Sequence, residues 1–173
     1  MRTFLISLLA ILLPLSSLLA QNMNTKIKDP KNPKREILIG YCNLPGLKSG
    51  EFGNYFQSQY ETYKPSDKYI EKLKEKINYV DITVVFGSWC SDSQLQVGRF
   101  MKVLDQAGYD DKNLKIIAVD RDKNAYTTNI ASLKIERVPT FIVSQHGREL
   151  GRIVETPKKS LEKDLLKIVS RAR

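Results

Sequence analysis

The chain has 173 residues, is 42% hydrophobic and 27% charged, and carries 28 Lys+Arg against 19 Asp+Glu, a net charge of +9. That balance fits one soluble globular domain and excludes a mainly disordered or collagen-like chain. Two cysteines are too few for a disulfide-framed mini-protein or a four-cysteine zinc site, and the single histidine removes most zinc, di-iron and Ser/His/Asp schemes, so neither metal nor cofactor is expected.

The chain opens like an export signal. Arg2 is followed by an almost wholly apolar run, Phe4 to Leu19, and Ala20-Gln21 is a plausible cleavage point. Residues 1–20 are therefore expected to be a signal peptide, and Pro14 and the short run argue against a stable membrane span. The expected location is periplasmic or secreted, where disulfides persist and nucleic acid is an unsuitable partner despite the basic charge. The lysines and arginines near both ends of the mature chain read as solvated surface.

Residues 21–35, polar and holding Pro30 and Pro33, read as a flexible linker, and 36–65 as an N-terminal extension of a domain over 66–173. Glu36–Tyr41, holding Ile37, Leu38 and Ile39, reads as a short strand or an extended docked segment, Cys42 follows at once, and Asn43, Pro45, Gly46, Ser49 and Gly50 mark a loop. Phe52, Tyr55, Phe56, Tyr60 and Tyr63 have helical spacing. Ser66 is placed to cap a helix through about Ile77, with Ile70, Leu73 and Ile77 inward. Ile82–Phe86 has the β-branched and aromatic content of a buried strand. A helix is predicted over Ser91–Gln106, with Leu95, Phe100, Val103 and Leu104 facing in and Gly108 at its end. Leu114–Val119 is a second buried strand, and a short helix is predicted near Tyr126–Leu133. Phe141–Val143 and Glu149–Val154 read as a hairpin turning at His146-Gly147. Thr156 and Pro157 read as the start of a last helix with Leu161, Leu165, Leu166 and Val169 on one face. Strands alternating with helices and ending in a hairpin make an α/β three-layer domain.

Chemistry concentrates in Phe86-Gly87-Ser88-Trp89-Cys90-Ser91-Asp92-Ser93. A cysteine sits where a buried strand ends and a helix begins, and free N–H groups at a helix start favour the nucleophilic thiolate. Trp89 is placed to cover one side of the sulfur and Ser93 to hydrogen-bond it, while the Asp92 carboxylate opposes the anion. The expected nucleophile is moderately reactive. A second segment, Arg137-Val138-Pro139-Thr140-Phe141, puts a proline just before a strand, a natural place for a cis bond. An extended substrate could pair with the backbone of Val138 there.

Together these segments resemble the thioredoxin superfamily, in which Trp-Cys-x-x-Cys opens the first core helix and a cis-proline loop faces it. Trp89-Cys90 matches the first motif and Val138-Pro139-Thr140 the second, and the resemblance spans about residues 66–171. The site is also similar to exported thioredoxin-like proteins of the Bacteroidetes type carrying Trp-Cys-x-Asp-Ser. The resemblance implies a thioredoxin-like α/β/α fold with a central mixed sheet, and thiol–disulfide exchange with protein or small-molecule thiols and disulfides. Two positions depart from the pattern. Ser93 replaces the second cysteine and cannot resolve a mixed disulfide, and Val84 stands where the family often carries a buried acid.

Cys42 is left with two readings, a resolving thiol for Cys90 or a buried structural thiol. Bridging the two would close a loop worth about 4 kcal/mol. Two functions follow: monothiol exchange through Cys90, of the oxidoreductase or isomerase type, or a redox-inactive binding or chaperone-like module using the cis-proline groove. A peroxide-reactive site fits poorly, because such sites typically place a Thr or Ser and a Pro shortly before the cysteine and an Arg across the site, and Ser88 and Trp89 do not match that pattern.

Overall fold

The computed structural model describes residues 23–126 and 128–172, so the expected signal peptide lies outside the described residues. Six strands form one sheet: β1 (Thr25–Asp29), β2 (Asn32–Cys42), β3 (Asp81–Phe86), β4 (Leu114–Ala118), β5 (Thr140–Gln145) and β6 (Arg148–Val154). Their order is β1-β2-β4-β3-β5-β6. β3 and β4 run parallel and every other pair is antiparallel, so the sheet is mixed. The helices are α1 (Leu44–Leu47), α2 (Gly50–Thr62), α3 (Asp67–Lys74), α4 (Ser91–Gln106) and α5 (Leu161–Val169).

Strand alternation divides the core in two. Ile82, Val84 and Phe86 of β3 and Ile116 and Ala118 of β4 join the large cluster with α2–α5. Val85 and Ile117 point the other way, into a smaller cluster with Val119, Ala125, Ile130 and Val138. Phe100 of α4 stacks on Phe141 of β5 with ring centroids 4.0 Å apart, which fastens the site helix to the sheet. α4 also lies close against α2: a Cβ on Gly98 would come within 2.4 Å of the Phe56 carbonyl oxygen. The α/β three-layer architecture is the expected one, and α4 has the predicted bounds.

Several local expectations are corrected. Where a flexible linker was expected, the described residues from Thr25 onward form a β-hairpin whose turn is closed by Asp29 Oδ1 accepting from the Lys31 N–H at 3.0 Å. Pro30 lies in that turn and Pro33 just beyond it, positions that cost no ladder bond. The N-terminal extension over 36–65 is built into the fold, since β2 pairs with β4 through Gly40–Cys42 and Leu38 sits in the main core. On α4, Val97 rather than Leu95 is fully buried. The second face of the sheet is covered by a loop whose described residues hold only a 3-10 turn, Ala131–Leu133, not a helix over 126–133. The last helix starts later than Pro157, with Ser160 as its N-cap. The β5–β6 turn is as expected, with His146 at φ 50 and Gly147 at φ 76.

Candidate functional site

β3 and β4 run parallel, so their C-terminal ends lie together at one edge of the sheet, and the site is built there. After Phe86 the chain turns through Gly87-Ser88-Trp89, with the Cys90 N–H donating to the Gly87 carbonyl at 2.9 Å. Position 87 must be glycine, because a Cβ there would meet the Trp89 ring at 2.6 Å. Cys90 is the N-cap of α4, with extended φ −91 and ψ 129, and is part-buried. An anion at that position faces the open N–H groups of the first helical turn. The loop is anchored twice: Gln94 Nε2 donates to the Ser88 carbonyl at 3.0 Å, and Ser88 Oγ accepts from the Leu38 N–H of β2 at 2.9 Å.

Val138–Pro139 is a cis peptide bond. Cys90 Sγ donates to the Val138 carbonyl oxygen at 3.3 Å, bringing the two sequence motifs together. Val138 is 3% exposed, Thr140 1%, and Pro139 is also buried. The Pro139 carbonyl accepts from Glu155 N–H at 2.7 Å, and Thr140 Oγ donates to the Arg137 carbonyl at 2.6 Å. Since β5 lies between β3 and β6, its pairing edges are already occupied.

Ser93 does not hydrogen-bond the sulfur. It is fully buried, and its Oγ accepts from the Gly87 N–H at 3.2 Å, holding the loop rather than the nucleophile. Asp92 lies in the first turn of α4, as expected. Trp89 stands beside the sulfur in the smaller cluster, its Nε1 donating to the Val119 carbonyl at 2.9 Å. Both cysteines are free. Cys42 is buried in the large cluster, the part-buried Cys90 packs against the small one, and no disulfide joins them. Burial pushes the Cys42 thiol up to about 12.

Two residues of the site escaped the sequence reading. The Arg121 guanidinium lies over the Trp89 ring, 4.8 Å from its centroid. Its Nε and Nη2 donate to both carboxylate oxygens of Asp29 at 2.9 and 2.8 Å. Asp29, fully buried at the tip of the β1–β2 hairpin, is held well below the ordinary carboxylate value, at about 2, chiefly by that Arg121 hydrogen bond. A usable signal existed: Arg121 follows β4 just as Cys90 follows β3, and parallel strands end together.

A family model described as Thioredoxin matches residues 51–167. The chain belongs to the thioredoxin family. It is 30% identical over 96 residues to the chloroplastic thioredoxin Y of Oryza sativa subsp. japonica, which covers 56% of this chain and 52% of that protein. The chain thus spans about half the length of the curated relative it matches. A Pseudomonas aeruginosa protein of unknown function matches in structure with a TM-score of 0.50 at 18% identity, over 69% of this chain and 82% of that one. The thioredoxin of Fasciola hepatica matches with a TM-score of 0.38 at 18% identity, over 62% and 90% of the two chains. No helix among the described residues is long and apolar enough to cross a membrane.

Proposed function

We propose that this chain is an exported thioredoxin-family protein that exchanges thiols and disulfides through one nucleophile, Cys90. The carrying observation is the placement of its Sγ, part-exposed at the mouth of α4 and 3.3 Å from the Val138 carbonyl, with no second thiol beside it. The Cys90 thiol loses its proton to solvent and attacks a substrate disulfide R–S–S–R′. One S–S bond breaks, Cys90–S–S–R forms, and R′–S⁻ leaves and is protonated. A second thiol R″–SH then attacks the mixed disulfide, giving R–S–S–R″ and restoring the Cys90 thiol, so each cycle conserves the number of disulfides. Ser93 offers no sulfur, and Cys42 is free and buried in the large cluster, so the second thiol comes from outside the chain. That pattern fits isomerisation or removal of small-thiol adducts better than net reduction. Export is supported by the apolar run Phe4–Leu19.

The test is mass spectrometry of protein incubated with a small disulfide, followed by added thiol. A single adduct on Cys90, removed by the thiol and absent from Cys90→Ser, is expected. Equal adduct formation and release in Cys90→Ser would overturn the reading.

A further inference from the structure

We propose that Arg121 forms an anion subsite beside Cys90, so that the preferred exchange substrates are thiols and disulfides carrying a carboxylate near the sulfur. The inference rests on the exchange reading above and adds the substrate class to it.

The argument begins with where the charges lie. The Arg121 side chain is 25% exposed, whereas its partner Asp29 is 0% exposed. Solvent, and any incoming molecule, therefore meets the guanidinium and not the carboxylate. Asp29 takes one N–H from Nε and one from Nη2, so three of the five guanidinium donors have no partner among the described residues. Those donors suit a carboxylate, which guanidinium binds in a planar, two-pronged geometry.

The guanidinium is also fixed in place. Asp29 grips it from the hairpin side, and the Trp89 ring supports it from below at 4.8 Å. Trp89 is the residue next to Cys90, so the cation is one side chain away from the nucleophile. The Arg121 guanidinium is held above its usual range first by Asp29 and, to a smaller extent, by the Cys90 charge, which places the two within electrostatic reach. Lys123 adds a second positive charge nearby, its Nζ donating to the Arg121 carbonyl at 3.0 Å. Asp120 opposes them with a negative charge of its own, but its carboxylate is turned to the Asp122 and Asn124 N–H groups and the Tyr126 hydroxyl and makes no contact with the guanidinium. Asp92, in the first turn of α4, is the opposing charge on the Cys90 side.

At about 6 Å and an effective dielectric between 40 and 80, one unit charge changes a rate about three- to tenfold. The experiment uses three aliphatic disulfides with similar leaving groups: 3,3′-dithiodipropionate (dianionic), bis(2-hydroxyethyl) disulfide (neutral) and cystamine (dicationic). Rates of adduct formation on Cys90 are read by mass spectrometry in wild type, Arg121→Gln and the pair Asp29→Asn with Arg121→Gln. The pair removes the buried carboxylate along with its partner, and is read in place of the single variant if that one fails to fold. Lys68→Gln, which removes one exposed positive charge far along the chain on α3, controls for net charge.

Loss of Arg121 should lower the dianionic rate about three- to tenfold relative to the neutral one, leave the dicationic rate equal or faster, and leave Lys68→Gln near wild type. A dianionic-to-neutral ratio unchanged without Arg121, or lowered equally by Lys68→Gln, overturns the subsite while exchange stands. No Cys90 adduct with any probe in folded wild type overturns exchange and the subsite with it.

Discussion

Asp29 and Arg121 stand 92 positions apart in sequence, yet their side chains join at 2.8 Å and carry the N-terminal hairpin onto the site edge of the sheet. Breaking the pair from the arginine side leaves a buried carboxylate without its partner, which is the costly way to lose an ion pair. The Asp29 carboxyl sits at about 2 in the fold against 3.8 for the free group. A lowered folded value stabilises above the unfolded value and is lost as pH falls through the folded one. The stability gap between wild type and Asp29→Asn should thus be constant from neutral pH down to about 4 and shrink from there towards pH 2. Urea titrations at a series of pH values measure it; a gap that stays constant to pH 2 contradicts the pairing.

Cys42 should be inert in the folded protein. The residue is 5% exposed, and its thiol donates to the Gly40 carbonyl and is pushed up to about 12 by burial. Iodoacetamide at pH 8 should label Cys90 alone in native protein and both cysteines in denaturant. Fast native labelling of Cys42 would show that β2 opens readily or that the thiol is not enclosed.

Ser93→Ala separates the two roles considered for that hydroxyl. The Gly87 N–H would lose its acceptor inside the protein, at a cost of about 1–3 kcal/mol in unfolding free energy. The rate of Cys90 adduct formation should change less than the stability does, because the hydroxyl holds the loop and not the sulfur. A large rate loss at unchanged stability would restore a direct contact between Ser93 and the nucleophile.

Trp89 is the single tryptophan, so its fluorescence reports the site directly. Adduct formation on Cys90 and removal of the Arg121 guanidinium should each change the emission. Trp89→Phe deletes the hydrogen bond to the Val119 carbonyl, with an expected loss of about 0.5–1.5 kcal/mol in stability. Calorimetry or urea melts measure that loss; a variant as stable as wild type would mean the bond adds nothing net.

Patterns of short range carried most of the fold. The apolar run Ile82–Phe86 could only be a buried strand, and the residues after Cys90 had the spacing and final Gly108 of a helix, so β3 and α4 were legible in outline. The hairpin at Asp29 was not. β1 alternates half-buried and exposed residues, and Lys26 and Lys28 give it the look of solvated chain. Its burial depends on a partner strand and on Arg121, neither of which lies beside it in sequence. The loop over 120–138 failed in the opposite direction, because Ile130 and Leu133 have helical spacing but pack onto Val85 and Ile117 from an irregular backbone.

The order of residues alone established the chemistry available: one cysteine at a strand-to-helix junction, a serine where a second thiol could have stood, and a proline before the next strand. Those features are local, set by backbone geometry within a few residues. Folding in three dimensions assigned the roles. It buried Cys42 in the large cluster, turned Ser93 towards Gly87, brought the Val138 carbonyl to the Cys90 sulfur and set Arg121 on Trp89. Such assignments depend on which distant strand ends meet, and the energy of a contact is fixed by distance in space, not by separation along the chain.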